Sequence, residues 1–133
     1  MRRELAELSY AELEALDKTN ACVILPVGAT EAHGPHLPLS TDVIIAGGMA
    51  RAGADALAER GVLALVAPAL AYTSAGYAAG FAGTVSIRPE TATELLVDVC
   101  RAFFGHGFPL IALANAHLEP GHIASLEAAV TRV

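Results

Sequence analysis

Three short apolar runs punctuate the chain: Ala21-Cys22-Val23-Ile24-Leu25, Val62-Leu63-Ala64-Leu65-Val66 and Leu110-Ile111-Ala112-Leu113-Ala114. Runs this short and this uniformly apolar read as strands buried on both faces, as in a parallel sheet covered by helices. Pro26 and Pro68 stop the first two. Between the runs, apolar residues recur at helical spacing. Ser9 and Glu12 have capping-box spacing, and Leu8, Leu13 and Leu16 predict a short amphipathic helix over about 10–18. Asp42 to Arg60 reads as a long helix with Ile45, Met49, Ala52 and Ala56 on its apolar face and Ile44 and Leu57 beside them. Gly47, Gly48 and Gly53 lower its propensity but allow close packing on a sheet, and Gly61 ends it. Pro89, with Glu90 and Glu94 near the positive end, opens a helix to about Gly105. A last helix starts near Gly121 and is still running at Val133.

The linking segments are uneven. Residues 28–41 are rich in Gly, Pro and His. Residues 69–88 form a long loop of Gly, Ala and Ser, in which Thr84-Val85-Ser86-Ile87 is a candidate short element. Residues 115–120 form a third loop. The β-α-β-α-β-α alternation predicts an α/β fold, a three-layer αβα sandwich on a mainly parallel sheet, as a single domain over 1–133. The expected strand order is 2-1-3, with the first strand central. Ligands of such sheets bind beyond the carboxyl ends of the strands, where successive connections diverge.

Composition narrows the function classes. Hydrophobic residues make up 54% and charged residues 17%, so the chain can bury a core and is not disordered. Its 14 acidic and 8 basic side chains leave a net charge of −6, which argues against a nucleic-acid surface. No apolar run reaches the ~20 residues of a membrane span. Met1-Arg2-Arg3 leads into Glu4 rather than a signal peptide, so a cytoplasmic location is expected. Cys22 and Cys100 are expected as buried free thiols.

Two loops carry the chemistry. Thr30-Glu31-Ala32-His33-Gly34-Pro35-His36-Leu37-Pro38-Leu39-Ser40-Thr41-Asp42 follows the first strand, and Asn115-Ala116-His117-Leu118-Glu119-Pro120-Gly121-His122 follows the third. Four of the five histidines lie in them. Carboxylates together with imidazoles suit Zn2+ or Mn2+, and a hydrolytic metal lowers the pKa of a water. Glu31 and His33 are two apart, so in extended chain both face one way, and His117 and Glu119 repeat the spacing. Asp42 opens a helix and is placed to bridge two metals. Taken singly, each has a plainer reading. Asp42 suits any helix N-terminus, and the Glu and His residues suit a solvated loop or a helix cap. His36 and His122 stand between orienting a ligand and a purely structural role. His106 reads as a helix C-terminal residue. Tyr72, Ser74 and Tyr77 read as pocket or solvated loop.

The first loop resembles the signature of the creatininase (creatinine amidohydrolase) family. Phe81-Ala82-Gly83-Thr84, Gly105-His106-Gly107-Phe108 and the Asn115-x-His117 turn support the resemblance, which covers roughly residues 9–127. Ala32 stands where that signature usually has Gln, and Ser40 where it often has Gly. Many members have Gly-Gly-Asn where this chain has Leu118-Glu119-Pro120, and a Glu two residues after the His is closer to the creatinine-hydrolysing branch. The resemblance implies a divalent metal, two per subunit. Glu31, Asp42 and His117 would bind one, and His33, Asp42 and Glu119 the other. His36 would orient a ligand rather than bind metal.

It also implies hydrolysis of a non-peptide C–N bond in a small cyclic amide or formamide by a metal-activated water. Glu119 and His117 would carry catalysis, and the protein would form a homo-oligomer, commonly a hexamer. Family members generally continue past the point where this chain ends, into segments with further catalytic His and Glu residues. The residue that protonates the leaving nitrogen is therefore not identified. Two other readings compete: a non-catalytic metal-binding homologue acting as a subunit or interaction module, and a structural αβ domain without metal.

Overall fold

A computed structural model describes residues 3–133. Its three strands are β1 (Ala21–Val27), β2 (Leu63–Val66) and β3 (Ile111–Asn115), all parallel in the order β2-β1-β3. Register is set by Ile24 opposite both Val66 and Ala112. The predicted order therefore holds. β1 runs two residues further than its apolar run, through Pro26. This proline costs no ladder bond. Its nitrogen faces the β2 edge, past the last registered pair Ile24–Val66, while its carbonyl accepts from Leu70 N–H.

The helices are α1 (Tyr10–Glu14), α2 (Thr41–Glu59), α3 (Pro89–Gly105) and α4 (Pro120–Arg132). Alternation along β1 divides the core. Cys22 and Ile24 pack under α2 with Ala50, Ala54, Ala64 and Val66. Ala21, Val23, Leu25 and Val27 pack on the other face with Leu96 and Val97 of α3, Leu126 and Ala129 of α4, and Phe108. The sheet is thus covered on both faces, as a parallel sheet requires. Cys22 and Cys100 are free and buried, and burial pushes both thiols up.

Several local expectations are corrected. α1 stops at Glu14 rather than about 18, because the Asp17 carboxylate accepts from Thr19 N–H and hydroxyl and turns the chain toward β1. The capping box of Ser9 and Glu12 is present. In α2 the apolar face is not the predicted one: Ile45 is 50% and Met49 46% exposed, and Ala52 and Ala56 also face outward. Ala46, Ala50 and Ala54 are buried instead. Small side chains let the helix axis come close to the sheet, and bulky ones on that face would hold it away. A Cβ at Gly53 would meet Ile24 Cδ1 at 3.7 Å, whereas at Gly47 it would meet the Arg51 side chain and at Gly48 nothing within 4 Å, so of the predicted glycines Gly53 alone faces the sheet. Residues 84–87 form no strand of their own. Val85 bridges Thr30, and Ser86 bridges Thr73. A single 3-10 turn, Gly76–Ala78, lies within the long loop.

Candidate metal centre

β1 ends where α2 begins to cross one face of the sheet, and its neighbour β3 ends where α4 begins to cross the other. The two loops leaving these strands therefore border one crevice. An open cleft of about 400 Å³ lies there, lined by Glu31, His33, Asp42, Tyr77, His117 and Glu119 among others.

Asp42 sits in the first turn of α2, where the helix dipole favours a carboxylate, and it is buried. Its position depends on Gly28. A Cβ there would lie 2.9 Å from the Asp42 backbone carbon, Asp42 Cβ and the Val43 nitrogen, so only glycine lets α2 come this near the end of β1. Glu31 N–H donates to Leu39 carbonyl and closes the loop that carries the histidines.

The rings are oriented by main-chain carbonyls. His33 Nδ1 lies 3.0 Å from the Glu31 carbonyl, and His117 Nε2 lies 2.8 Å from the Ser74 carbonyl. A carbonyl only accepts, so the ring nitrogen facing it carries the proton. The other nitrogen of each ring faces carboxylates. His33 Nε2 is 2.9 Å from Asp42 Oδ1 and 3.7 Å from Glu31 Oε1. His117 Nδ1 is 3.0 Å from Glu31 Oε1 and 3.3 Å from Asp42 Oδ2. In the neutral rings these nitrogens are bare lone pairs pointing at carboxylate lone pairs. A proton, on ring or carboxyl, or a cation must sit between them.

Titration directions agree with this competition. Burial raises the Glu31 carboxyl, partly offset by His117 and reinforced by Asp42. The Glu31 carbonyl, helped by Asp42 against the opposing effect of burial, raises His33. Asp42 Oδ2 is buried with no hydrogen-bond partner, as a waiting ligand atom would be. Among the described residues, one atom each from Glu31, Asp42 and His117 lie within 4.8 Å of one another. This donor set, oxygen and nitrogen with open cleft on one side, fits a divalent cation.

The other expected residues are placed differently. Glu119 lies across the His117 ring from Glu31 and Asp42. Its Oε2 is 3.6 Å from His117 Nε2 and is buried without a hydrogen bond. Asp42 thus touches both histidines, while Glu119 approaches only His117. His36 is exposed and makes no hydrogen bond or ion pair with these groups. The orienting contacts come from carbonyls instead.

His122 backs the cluster. It is fully buried, its ring centroid lies 4.6 Å from that of His117, and its Nε2 lies 2.8 Å from Asn115 Oδ1. Burial, with His117 adding to it, lowers its pKa to about 4, so the ring is neutral and its Nε2–H donates to Asn115. Asn115 also donates to the His117 carbonyl, which ties the β3–α4 turn together. His106 caps α3, exposed and away from the cleft, while Tyr72 is exposed and Tyr77 lines the cleft. The role of Ser74 had no side-chain signature, since only its carbonyl acts on His117.

The family model described as creatinine amidohydrolase matches residues 6–133. The chain is 44% identical over 103 residues to a mycofactocin precursor peptide peptidase of Mycobacterium tuberculosis, covering 74% of this chain and 41% of that protein. It is 35% identical over 121 residues to creatinine amidohydrolase of Pseudomonas putida, covering 86% and 45% respectively. A solved creatininase mutant superposes with a TM-score of 0.80 at 27% identity, over 98% of this chain and 53% of that one. Other solved creatininases that match include a manganese form and a Zn-Zn form. The chain spans about half the length of these relatives. With the family model matching nearly end to end and the same parallel sheet in a solved member, this chain belongs to the creatininase family.

Proposed function

We propose that this chain forms the metal-binding part of a metal-dependent hydrolase that cleaves amide C–N bonds. Glu31, Asp42 and His117 would hold one divalent cation, zinc or manganese. His33 and Asp42 would contribute to a second, with Asp42 shared, while Glu119, the third ligand expected there, lies across the His117 ring from Asp42. The observation that supports this most is the pair of carbonyl-fixed histidines, each turning a lone pair toward the same two carboxylates. A divalent cation held by these residues would supply a water of lowered pKa and a Lewis acid for an amide carbonyl. The Glu31 and Ser74 carbonyls keep the two rings in the ligand tautomer. Glu119, whose side chain borders the cleft, is the carboxylate that would take a proton from the attacking water and return it to the leaving nitrogen.

The expected substrate, a small cyclic amide or formamide, is widened here to include peptide amides. The peptidase relative shares 44% identity with this chain, against 35% for the creatinine amidohydrolase. No helix among the described residues is long and apolar enough to cross a membrane. We place the protein in the cytoplasm as a homo-oligomer acting on a small molecule or short peptide. The exposed outer face of α2, with Ile44, Ile45 and Met49, is a surface that association would cover.

The test is metal analysis of the purified chain, with hydrolysis of creatinine and of short peptides measured before and after chelation. Activity lost to chelator and restored by Zn2+ or Mn2+ supports the proposal. Undiminished hydrolysis by the stripped protein refutes it. A second reading is a metal-binding subunit without turnover, in keeping with Glu119 standing across the His117 ring from Glu31 and Asp42. Stoichiometric metal with no hydrolysis of any tested amide would select it.

A further inference from the structure

Beside the His33 loop lies a second, open cavity of about 480 Å³, lined by Ala32, Gly34, Leu39, Tyr77, Phe81 and Ala82, with Pro35 and Ala78 completing it. No charged side chain lines it. Ala32 and Gly34 are the immediate neighbours of His33, and Tyr77 lines both this cavity and the cleft with Glu31 and Asp42. The two spaces therefore adjoin.

The cavity walls are tied rather than loose. Ala32 N–H donates to Thr84 Oγ1, Val85 N–H donates to the Thr30 carbonyl, and Glu31 N–H donates to the Leu39 carbonyl. Gly83, at φ +88°, lets Leu39 pack against the 81–84 turn. A Cβ at that position would fall 2.4 Å from Leu39 Cδ1. The Phe81-Ala82-Gly83-Thr84 motif thus builds a wall of the cavity.

We infer that this apolar cavity is the subsite for an uncharged, apolar or aromatic side chain next to the amide bond that is cleaved. The inference rests on the metal-hydrolase reading and narrows its substrate class. A compact ring amide, held at Asp42 and His117, has no group to extend past Tyr77. A peptide amide carries a side chain of the required kind. The occupant is assigned to the substrate because the cavity and the cleft share Tyr77 as a wall and the ligand loop, through Ala32 and Gly34, forms another.

The experiment compares two metal chelators on the Zn2+-loaded full chain by titration calorimetry: acetohydroxamate and phenylpropionyl hydroxamate. Burying the phenyl ring should make the second bind at least about tenfold tighter. Ala82→Trp, which fills the cavity from an exposed position, should bring the ratio of the two affinities toward one. Circular dichroism establishes that the variant is folded. Equal affinities in the unmodified protein, or a ratio that Ala82→Trp leaves unchanged, overturn the subsite. A ratio of one in a dimer that Ala82→Trp dissociates overturns it in favour of a second copy as occupant.

Failure of acetohydroxamate to bind at all refutes the metal reading instead. In that case N-acetyl-phenylalaninamide, which does not chelate, reads the cavity alone through the ring resonances of Tyr77 and Phe81. Shifts abolished by Ala82→Trp retain the subsite, and no shifts overturn it.

Discussion

The two ends of the sheet carry similar residue types and differ in what has been done to them. At the amino end of β1, a cavity of about 660 Å³ is lined by Tyr10, Glu14, Lys18 and His106 among others. It is larger than the cleft of about 400 Å³ at the carboxyl end. Yet Glu14 and His106 are exposed, and among the described residues no ion pair joins Glu14, Lys18 or His106. Lys18 Nζ reaches only the Leu16 carbonyl and the face of Phe108. At the carboxyl end, Asp42 and His117 are buried, and each imidazole there is turned by a carbonyl. A carboxylate in water is already satisfied. The same group desolvated against a bare imidazole nitrogen needs a cation or a proton. Desolvation and fixed orientation mark the candidate metal centre, and cavity size does not.

The sharpest break of this contrast is Asp42→Asn. It keeps the volume but removes the charge between His33 and His117, and the purified variant should retain no stoichiometric metal by elemental analysis. Metal retained at the wild-type level would make the carboxyl end as ordinary as the other. Gly28→Ala comes next. Its methyl would collide with the backbone at the start of α2, so thermal unfolding should show a loss of about 3 kcal/mol, with weakened metal binding. An unchanged Tm would show that the helix approaches β1 with room to spare.

A smaller effect concerns pH in the metal-free protein. His122 is depressed from 6.5 to about 4 on folding, so the unfolded chain binds more protons than the folded one between these values. Stability is therefore full above about pH 6.5 and falls as the pH drops toward 4, by on the order of 2 kcal/mol. Urea unfolding of His122→Asn beside the wild type isolates the contribution, and parallel pH profiles would remove it. The smallest effect is expected at the opposite end. His106→Ala and Lys18→Ala should each change stability by no more than about 0.5 kcal/mol and leave metal content unaltered. Loss of metal in either would mean that the two ends are coupled.

Much of the molecule is legible from local pattern. The apolar runs at 21–25, 62–66 and 110–114 placed all three strands within one or two residues, because a strand buried on both faces has no polar positions to confuse the reading. Pro89 and Gly61 marked helix ends through backbone constraints that act locally. The histidine- and carboxylate-bearing loops were legible as a candidate site, since side-chain chemistry is written directly in the residues. The face of α2 was not. Hydrophobicity pointed to Ile45 and Met49, but the sheet accepted Ala46, Ala50 and Ala54, because the distance between helix and sheet decides which side chains fit.

The sequence by itself determined the strand and helix order and the pool of residues able to bind a cation. Only the tertiary structure decided that Gly28 leaves no room beside Asp42, that the Ser74 carbonyl fixes the His117 ring, and that Glu119 stands on the opposite side of that ring. The physical reason is that carbonyl orientation, desolvation and van der Waals clearance belong to pairs of segments distant in the chain. Residue type and periodicity belong to one segment at a time.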